Sequence, residues 1–183
     1  RQRQMCIRDS YKPVGVTCTE RDPHAEKKIM DMIRYPERLT YAGRLDKDSE
    51  GLILLTNDGD LINAMMRGAN RHEKEYIVKT DREITPDFLE KMAKGIYLKD
   101  LDITTRECEI EQIGKFTFRI VLTQGVNRQI RRMCEACGYR VKALKRIRIM
   151  NILLGDLKPG KWREVTGEEL EQLQRDTGML NRN

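Results

Sequence analysis

The sequence predicts an α+β fold, because strand-like and helix-like segments alternate along most of the chain. Residues 106–113 and 116–123 have strand composition and pair naturally as a hairpin around Gly114-Lys115. An antiparallel hairpin of this kind argues against the purely parallel sheet of an α/β protein. The length of 183 residues is enough for one domain or two small subdomains with a buried core.

The first half of the chain predicts two helices and two strands. Asp22-Pro23 opens a helix with its apolar residues on one face. Residues 52–56 form a short apolar strand, and Asp58 in the following turn can cap a helix that ends near Gly68. Residues 74–80 have the composition of a further strand.

The second half predicts three helices around two strand-rich regions, of which the first is the hairpin. Thr85-Pro86-Asp87 starts one helix, and a second spans Asn127 to Gly138. Residues 141–154 are again rich in strand formers. Thr166 followed by Glu169 predicts a capping box for the last helix.

The two ends of the chain differ from its middle. Residues 1–10 show neither a helix-like nor a strand-like pattern of apolar residues. We therefore expect a disordered arm or the remnant of a fusion or truncation. Residues 11–176 are expected to form the folded domain, with a soft subdomain boundary near residues 81–85. Residues 177–183 are expected to fray.

Composition excludes several classes of protein. No apolar run approaches the roughly 20 residues of a bilayer-spanning helix, and nothing resembles a signal peptide. We therefore expect a cytoplasmic protein without a membrane partner. Five cysteines, an odd number, favour reduced thiols over a disulfide framework.

Basic charge is concentrated in one region. Between Arg128 and Arg148 there are eight basic residues and one acid, Glu135, so this window has a net charge of +7 against +6 for the whole chain. A regional basic surface is the electrostatic footprint expected for a polyanion partner. A solvated helix face is the alternative interpretation.

A polar loop with several carboxylates precedes the first buried strand. Residues 41–51 read Tyr-Ala-Gly-Arg-Leu-Asp-Lys-Asp-Ser-Glu-Gly and run into four apolar residues. Catalytic and binding residues are concentrated on loops that a rigid element holds in place. Among the acids of this loop, we select Asp46 as the candidate functional residue. A glycosidase pair among Asp46, Asp48 and Glu50 is disfavoured, because three acids on one short loop are more often exposed or capping.

The helix from Asn127 to Gly138 carries arginines on two sides. At about 100° per residue, Arg128 and Arg132 point away from the apolar stripe, whereas Arg131 lies at its margin. A guanidinium at that margin can pair with a carboxylate and keep it ionised. Three solvated arginines remain the alternative.

The same helix carries a C-x-x-C spacing at Cys134 and Cys137, which can indicate zinc or redox chemistry. The sequence has no second such pair and only two histidines. Both cysteines fall on the apolar stripe, so packing is favoured and no metal site is expected.

Four segments, in order, resemble motifs of the pseudouridine synthases. Gly43–Leu52 with Leu54–Gly59 resembles the catalytic motif, in the version of the RsuA, RluB, RluE and RluF branch. Lys12–Gly15 resembles the opening motif and Lys74-Glu75-Tyr76 the lysine-x-tyrosine motif. Leu122–Met133 resembles the RluF-type arginine motif.

This resemblance implies two α+β subdomains that share a mostly antiparallel mixed sheet, with flanking helices and a central catalytic cleft. The implied reaction isomerises uridine in RNA to pseudouridine, without metal or organic cofactor. Large-subunit ribosomal RNA is the favoured substrate, transfer RNA is a further possibility, and we expect a monomer. The opening motif follows only ten residues, so no S4-type RNA-binding domain fits ahead of it; either this member works without that domain or the chain is a fragment that has lost it.

The resemblance also implies residue roles. Asp46 would be the essential nucleophile or base, Tyr76 would pack on the target base, and Arg131 would pair with Asp46. Arg44 would enter the space that the flipped base leaves. The other motif residues expected to bind RNA are Lys74, Asn127, Arg128, Gln129 and Arg132. A noncatalytic RNA-binding module is the alternative, which would not need Asp46, Tyr76 and Arg131 together.

Overall fold

The computed structural model describes residues 7–15, 39–67 and 71–179, and these contain eleven strands and four helices. The helix expected after Asp22-Pro23 lies outside the described residues. The strands are β1 Ile7–Lys12, β2 Thr40–Tyr41, β3 Glu50–Thr56, β4 Lys74–Thr80, β5 Tyr97–Leu98, β6 Ile103–Thr104, β7 Glu109–Gly114, β8 Thr117–Leu122, β9 Val141–Ile149, β10 Ile152–Leu153 and β11 Trp162–Glu164. The helices are α1 Gly59–Met66, α2 Pro86–Lys94, α3 Gln129–Ala136 and α4 Gly167–Asp176.

Nine of these strands form one mixed sheet, in the order β11-β1-β3-β9-β4-β8-β7, with β2 beside β3 and β10 beside β9. Every described pairing in this sheet is antiparallel except that of β3 with β9. Strands β5 and β6 form a small separate sheet. The predicted α+β class, the mostly antiparallel sheet and the β7–β8 hairpin are confirmed.

Two hydrophobic clusters pack against the two halves of the sheet. The first joins β1, β3, α1 and α4, and the second joins β4, β8, α2 and α3. Strand β9 contributes Ile149 to the first cluster and Leu144 to the second. Residues 81–85 lie between β4 and α2, which both belong to the second cluster, so the packing does not divide the chain there. The parallel β3–β9 pairing is the seam between the halves.

The described residues nearest to the two ends of the chain make contacts with the rest of the fold. Residues 7–10 belong to β1, whose backbone pairs with β3 on one side and β11 on the other. This backbone pairing can form without a periodic pattern in the sequence of these residues, and the sequence shows none. At the other end, Thr177 Oγ1 donates to the Leu173 carbonyl at 2.8 Å, and Met179 packs against the first cluster. These contacts hold residues 177–179 against α4, and the fraying expected for residues 177–183 stays a prediction.

Side-chain caps fix two of the helix starts, as predicted. Asp58 accepts from the backbone N–H groups of Asp60 and Leu61, and Thr85 accepts from that of Phe88 at 3.1 Å. The capping box predicted at Thr166 is wrong, because Thr166 makes no side-chain cap bond there. Its expected partner, Glu169, instead forms a two-bonded ion pair with Arg163, at 2.8 and 2.9 Å.

These two threonines give a matched test of capping. We expect Thr85→Ala to lower the free energy of unfolding by about 1 kcal/mol, since an orphan helix N–H loses its acceptor. The same change at Thr166 removes no such bond and should cost clearly less. Urea denaturation of the two variants measures the difference; equal losses would contradict the assignment of the Thr85 cap.

None of the helices within the described residues is long and apolar enough to cross a bilayer.

Candidate active site

A cleft of about 380 Å³ opens where the 41–49 loop faces β4, β9 and the start of α3. Its walls carry apolar side chains from β8 and β9, Leu122 and Leu144, together with a ring of polar and charged groups. Eight of the nine predicted site residues line it: Arg44, Asp46, Lys74, Tyr76, Asn127, Arg128, Gln129 and Arg131. The structure therefore brings together residues from three separate motifs.

The ninth residue, Arg132, lies outside the cleft. Its guanidinium donates to the backbone carbonyl and the side chain of Asn127 and stands 3.8 Å from Asp100. Gln129 lines the cleft but is buried, and its side chain bonds Val126 N–H and Gln124. We therefore read Gln129 as a support of the turn before α3 rather than as an exposed RNA contact.

The loop that carries Asp46 is held through its backbone. Ser49 N–H donates to the Asp46 carbonyl at 3.0 Å, which closes a turn around the carboxylate. The Lys47 carbonyl accepts from Gly15 N–H at 2.7 Å and from the buried Lys12 ammonium at 3.3 Å. The Lys12–Gly15 motif thus anchors the catalytic loop. The Asp46 side chain itself is 35% exposed, so it faces the open cleft.

The arginine beside Asp46 is Arg128, not the expected Arg131. Arg128 Nη1 lies 3.5 Å from Asp46 Oδ2, and the same guanidinium makes two bonds to the Asp48 carboxylate, at 3.1 and 2.9 Å. The pair with Asp48 lowers the pKa of that carboxyl group. Helix α3 begins only at Gln129, and Arg128 has a left-handed backbone with φ 52°. That conformation turns its side chain toward the loop instead of away from it.

Arg131 bonds to other groups of the 41–49 loop rather than to the Asp46 carboxylate. Its Nη2 donates to the Asp48 carbonyl at 3.0 Å and to the buried Ser49 hydroxyl at 3.1 Å. Its Nε is buried without a hydrogen-bond partner among the described residues. The expected Arg131–Asp46 pair is therefore absent from the described contacts, although both side chains line the same cleft.

Tyr76 and Lys74 lie two residues apart on β4 and so face the same side of the sheet, into the cleft. Tyr76 also packs against the second hydrophobic cluster, which fixes its ring at the cleft wall. The Lys74 ammonium makes no hydrogen bond or ion pair with any other described residue. Burial, and secondly the positive charge of Arg146, lower the pKa of Lys74 to about 8.

Comparison with known proteins identifies this arrangement. The model of the RNA pseudouridylate synthase family matches residues 10–136. The chain belongs to the RNA pseudouridylate synthase family.

Individual members of the RNA pseudouridylate synthase family match most of the chain. The dual-specificity RNA pseudouridine synthase RluF of Escherichia coli K12 is 48% identical over 162 residues, which cover 88% of this chain and 55% of that protein. Ribosomal large subunit pseudouridine synthase B of Vibrio cholerae is 33% identical over 172 residues, covering 89% of this chain and 52% of that protein. The chain thus spans about half the length of these relatives.

A crystal structure of a pseudouridylate synthase superposes with a TM-score of 0.87 at 28% identity. The match covers 93% of this chain and 74% of that one. The fold implied by the motifs, a pseudouridine synthase fold, is therefore confirmed.

The charge on Lys74 makes the stability of this pseudouridylate synthase chain depend on pH. Its pKa is about 8 in the folded protein against 10.5 in the unfolded chain, so between these values the unfolded state binds more protons. Stability should therefore rise as the pH increases from about 8 to about 10.5. Urea denaturation near pH 7 and near pH 9.5 should show this gain in the wild type but not in Lys74→Met. A parallel gain in both proteins would assign it to another group.

The basic residues between 128 and 148 do not all lie on one surface. Arg128 and Arg131 face the cleft, Arg146 is buried beneath it, and Arg148 bonds Glu73 and Glu75. Sequence reasoning missed Arg146, which it counted as one more exposed cation. No local pattern distinguishes it from Arg148, since residues two apart in a regular strand share a face.

The C-x-x-C spacing has no ligand geometry in the described part of the chain. No group of three or more His, Cys, Asp or Glu residues there could hold a metal ion. Cys134 is fully buried in the second cluster, and this burial raises the pKa of its thiol to about 12. These observations agree with a packing role.

Proposed function

We propose that the chain isomerises uridine to pseudouridine in RNA. The observation that carries the proposal is the meeting of Asp46, Tyr76 and two arginines, Arg128 and Arg131, in one half-open cleft. A noncatalytic RNA-binding module would need cations at a surface but would not need a carboxylate and a phenol ring lining the same cleft. Family membership supports the same reaction.

In this reaction the bond from C1′ to N1 of uracil breaks, the base rotates, and a bond from C1′ to C5 forms. The proton on C5 is lost and N1 gains one, so the product is an isomer of the substrate. Asp46 is the group we assign to the ribose, either as a nucleophile or as a base. Tyr76 offers a ring face to the uracil, and stacking of this type contributes about 1–3 kcal/mol per base. Leu122 and Leu144 provide apolar walls around the base.

The target nucleotide must first leave its helix, which costs a few kcal/mol. Arg44 is exposed at the cleft rim and is placed to fill the space left behind. Arg128 is 40% exposed and bonded to Asp48, so it can exchange that carboxylate for an RNA phosphate when substrate arrives. Lys74 offers a further cation inside the cleft.

Large-subunit ribosomal RNA is our favoured substrate, because the relative from Vibrio cholerae is named for that subunit. The Escherichia coli relative is named for dual specificity, which is compatible with a second RNA substrate, and transfer RNA is our second candidate. We further propose that the protein acts as a cytoplasmic monomer without metal or organic cofactor.

The proposal is tested with transcripts that carry tritium at C5 of uridine, because forming the new bond releases that label. Large-subunit ribosomal RNA, small-subunit ribosomal RNA and transfer RNA are incubated separately with the protein, and released label is counted. We expect release from the large-subunit transcript, at positions then mapped chemically as pseudouridine. Binding of all three RNAs without release would favour the noncatalytic module and overturn the proposal. Release from transfer RNA alone would overturn the substrate assignment.

A further inference from the structure

Arg146 is a buried cation that has no carboxylate partner among the described residues. Its side chain is 2% exposed, although the cleft lies directly above it. Nε donates to the Leu52 carbonyl at 2.8 Å and Nη1 to the Arg44 carbonyl at 3.4 Å. Nη2 is buried and makes no hydrogen bond to any described residue. Its only partners in the described structure are therefore the backbone before and after Asp46.

A β-bulge directs Arg146 to this place. Tyr76 pairs with Arg146 and Glu75 pairs with Arg148, which leaves Ile147 as the extra residue of β9. The bulge places Arg146 on the cleft side with Tyr76, and Arg148 on the other side with Glu75. Bulges next to active sites commonly redirect a side chain in this way.

The burial of this charge is costly for the fold. An ionised group removed from water is normally paired with an opposite charge, and two neutral carbonyls compensate it only in part. Buried charges that lower the stability of the fold and lack an opposite charge nearby are concentrated at functional sites. The cleft above Arg146 is where such a function would lie.

We propose that Arg146 is a positioning residue for the isomerisation, which fixes the Arg44–Asp46 segment against β9 and supplies a fixed positive charge beside Lys74. The inference rests on the proposed function of the cleft. The bond to the Arg44 carbonyl lies two residues before Asp46, and the bond to Leu52 lies just beyond the loop. Loss of either lets the carboxylate shift relative to Tyr76, which projects from the strand that pairs with Arg146.

The second role acts through Lys74. The charge of Arg146 adds to burial in lowering the pKa of the Lys74 ammonium. On the segment before β4, Glu73 is paired with Arg148, and His72 is a further titratable neighbour whose pKa is itself lowered by burial and by Lys74. The remaining charged groups of the cleft are Asp46, Arg44, Arg128 and Arg131. Removing Arg146 should therefore raise the pKa of Lys74, whereas a lysine in its place should not.

Three variants separate these roles from simple support of the fold. Arg146→Met removes both the bonds and the charge, and Arg146→Lys keeps the charge but cannot bridge the two carbonyls. Arg148→Met is the matched control, since it removes an arginine from the same strand on the opposite face. Each is measured for kcat and KM of tritium release, for hydrogen exchange of the Ser49 amide, and for the Lys74 pKa by NMR.

We expect kcat to fall about 100-fold in Arg146→Met and about tenfold in Arg146→Lys, with KM changed less than about threefold. Ser49 N–H, which donates to the Asp46 carbonyl, should exchange faster in both. The Lys74 pKa should rise in Arg146→Met alone, and Arg148→Met should leave all three readouts unchanged.

Unchanged kcat and Ser49 exchange in both variants, with only a lower denaturation midpoint, would reduce Arg146 to a structural clamp and overturn the inference. If Arg146→Met does not fold, Arg146→Lys decides through kcat and Ser49 exchange. A wild-type protein that releases no tritium contradicts the proposed function instead, and Ser49 exchange and the Lys74 pKa then still test the placement of Arg146.

Discussion

Asp46→Asn is expected to lower the rate of uridine isomerisation at least about 1,000-fold, while RNA binding stays within about threefold of the wild type. The amide has nearly the shape of the carboxylate, so the turn closed by Ser49 N–H at the Asp46 carbonyl is kept. What is lost is the negative charge and the nucleophilic or basic oxygen that the reaction needs. Tritium release measures the first quantity, and a filter-binding titration with the same transcript measures the second.

Asp48→Asn is the matched control, because Asp48 lies in the same loop and is also bonded to Arg128. It is half-exposed and its contacts are with Arg128 and Arg131, so its loss should lower the rate by less than about tenfold. Equal rates for Asp46→Asn and the wild type would remove the central assignment. Equal losses in the two variants would mean that the loop as a whole, and not Asp46, carries the effect.

The sequence predicts most of the local structure, because local signals determine it. The apolar run 52–56 is a strand buried on both faces, and Thr85-Pro86 begins a helix where capping chemistry requires one. Residues 7–10 were missed because a strand held between two neighbours needs no alternating pattern of its own. Glu169 was misread because an ion pair with Arg163, six residues earlier in the chain, competes with the cap, and the capping-box pattern considers only the residues from Thr166 onward.

The sequence predicts which residues form the site but not which contacts they make with one another. The four motifs identify Asp46, Tyr76 and the arginine segment, and the fold brings them to one cleft. Which arginine meets which carboxylate depends on a left-handed backbone at Arg128, a conformation that non-glycine residues seldom adopt. The burial of Arg146 depends on one extra residue in β9. Neither feature changes the hydrophobic period, which is the signal that sequence reasoning uses.

The seam between the two halves of the sheet explains the second large effect. Gly51 has φ +117°, and it pairs with Arg146 in the parallel ladder of β3 with β9. A Cβ at this position would lie 2.6 Å from the Arg146 backbone nitrogen and closer still to its carbonyl oxygen. The backbone of β9 cannot retreat, because its other edge is paired with β4. Position 51 thus requires glycine for two reasons, its positive φ and the lack of room for a Cβ atom.

Gly51→Ala should therefore lower the free energy of unfolding by about 3 kcal/mol or more, and tritium release should fall with it even where the protein is folded. Gly15→Ala separates the two causes, since Gly15 also has a positive φ, +88°, but has open space around its Cβ position. That control should cost only about 1–2 kcal/mol, the strain of the backbone alone. Urea denaturation of both variants gives the comparison. A Gly51→Ala protein no less stable than Gly15→Ala would mean that β3 and β9 can separate freely, and then the seam could not hold Arg146 beneath the Asp46 loop.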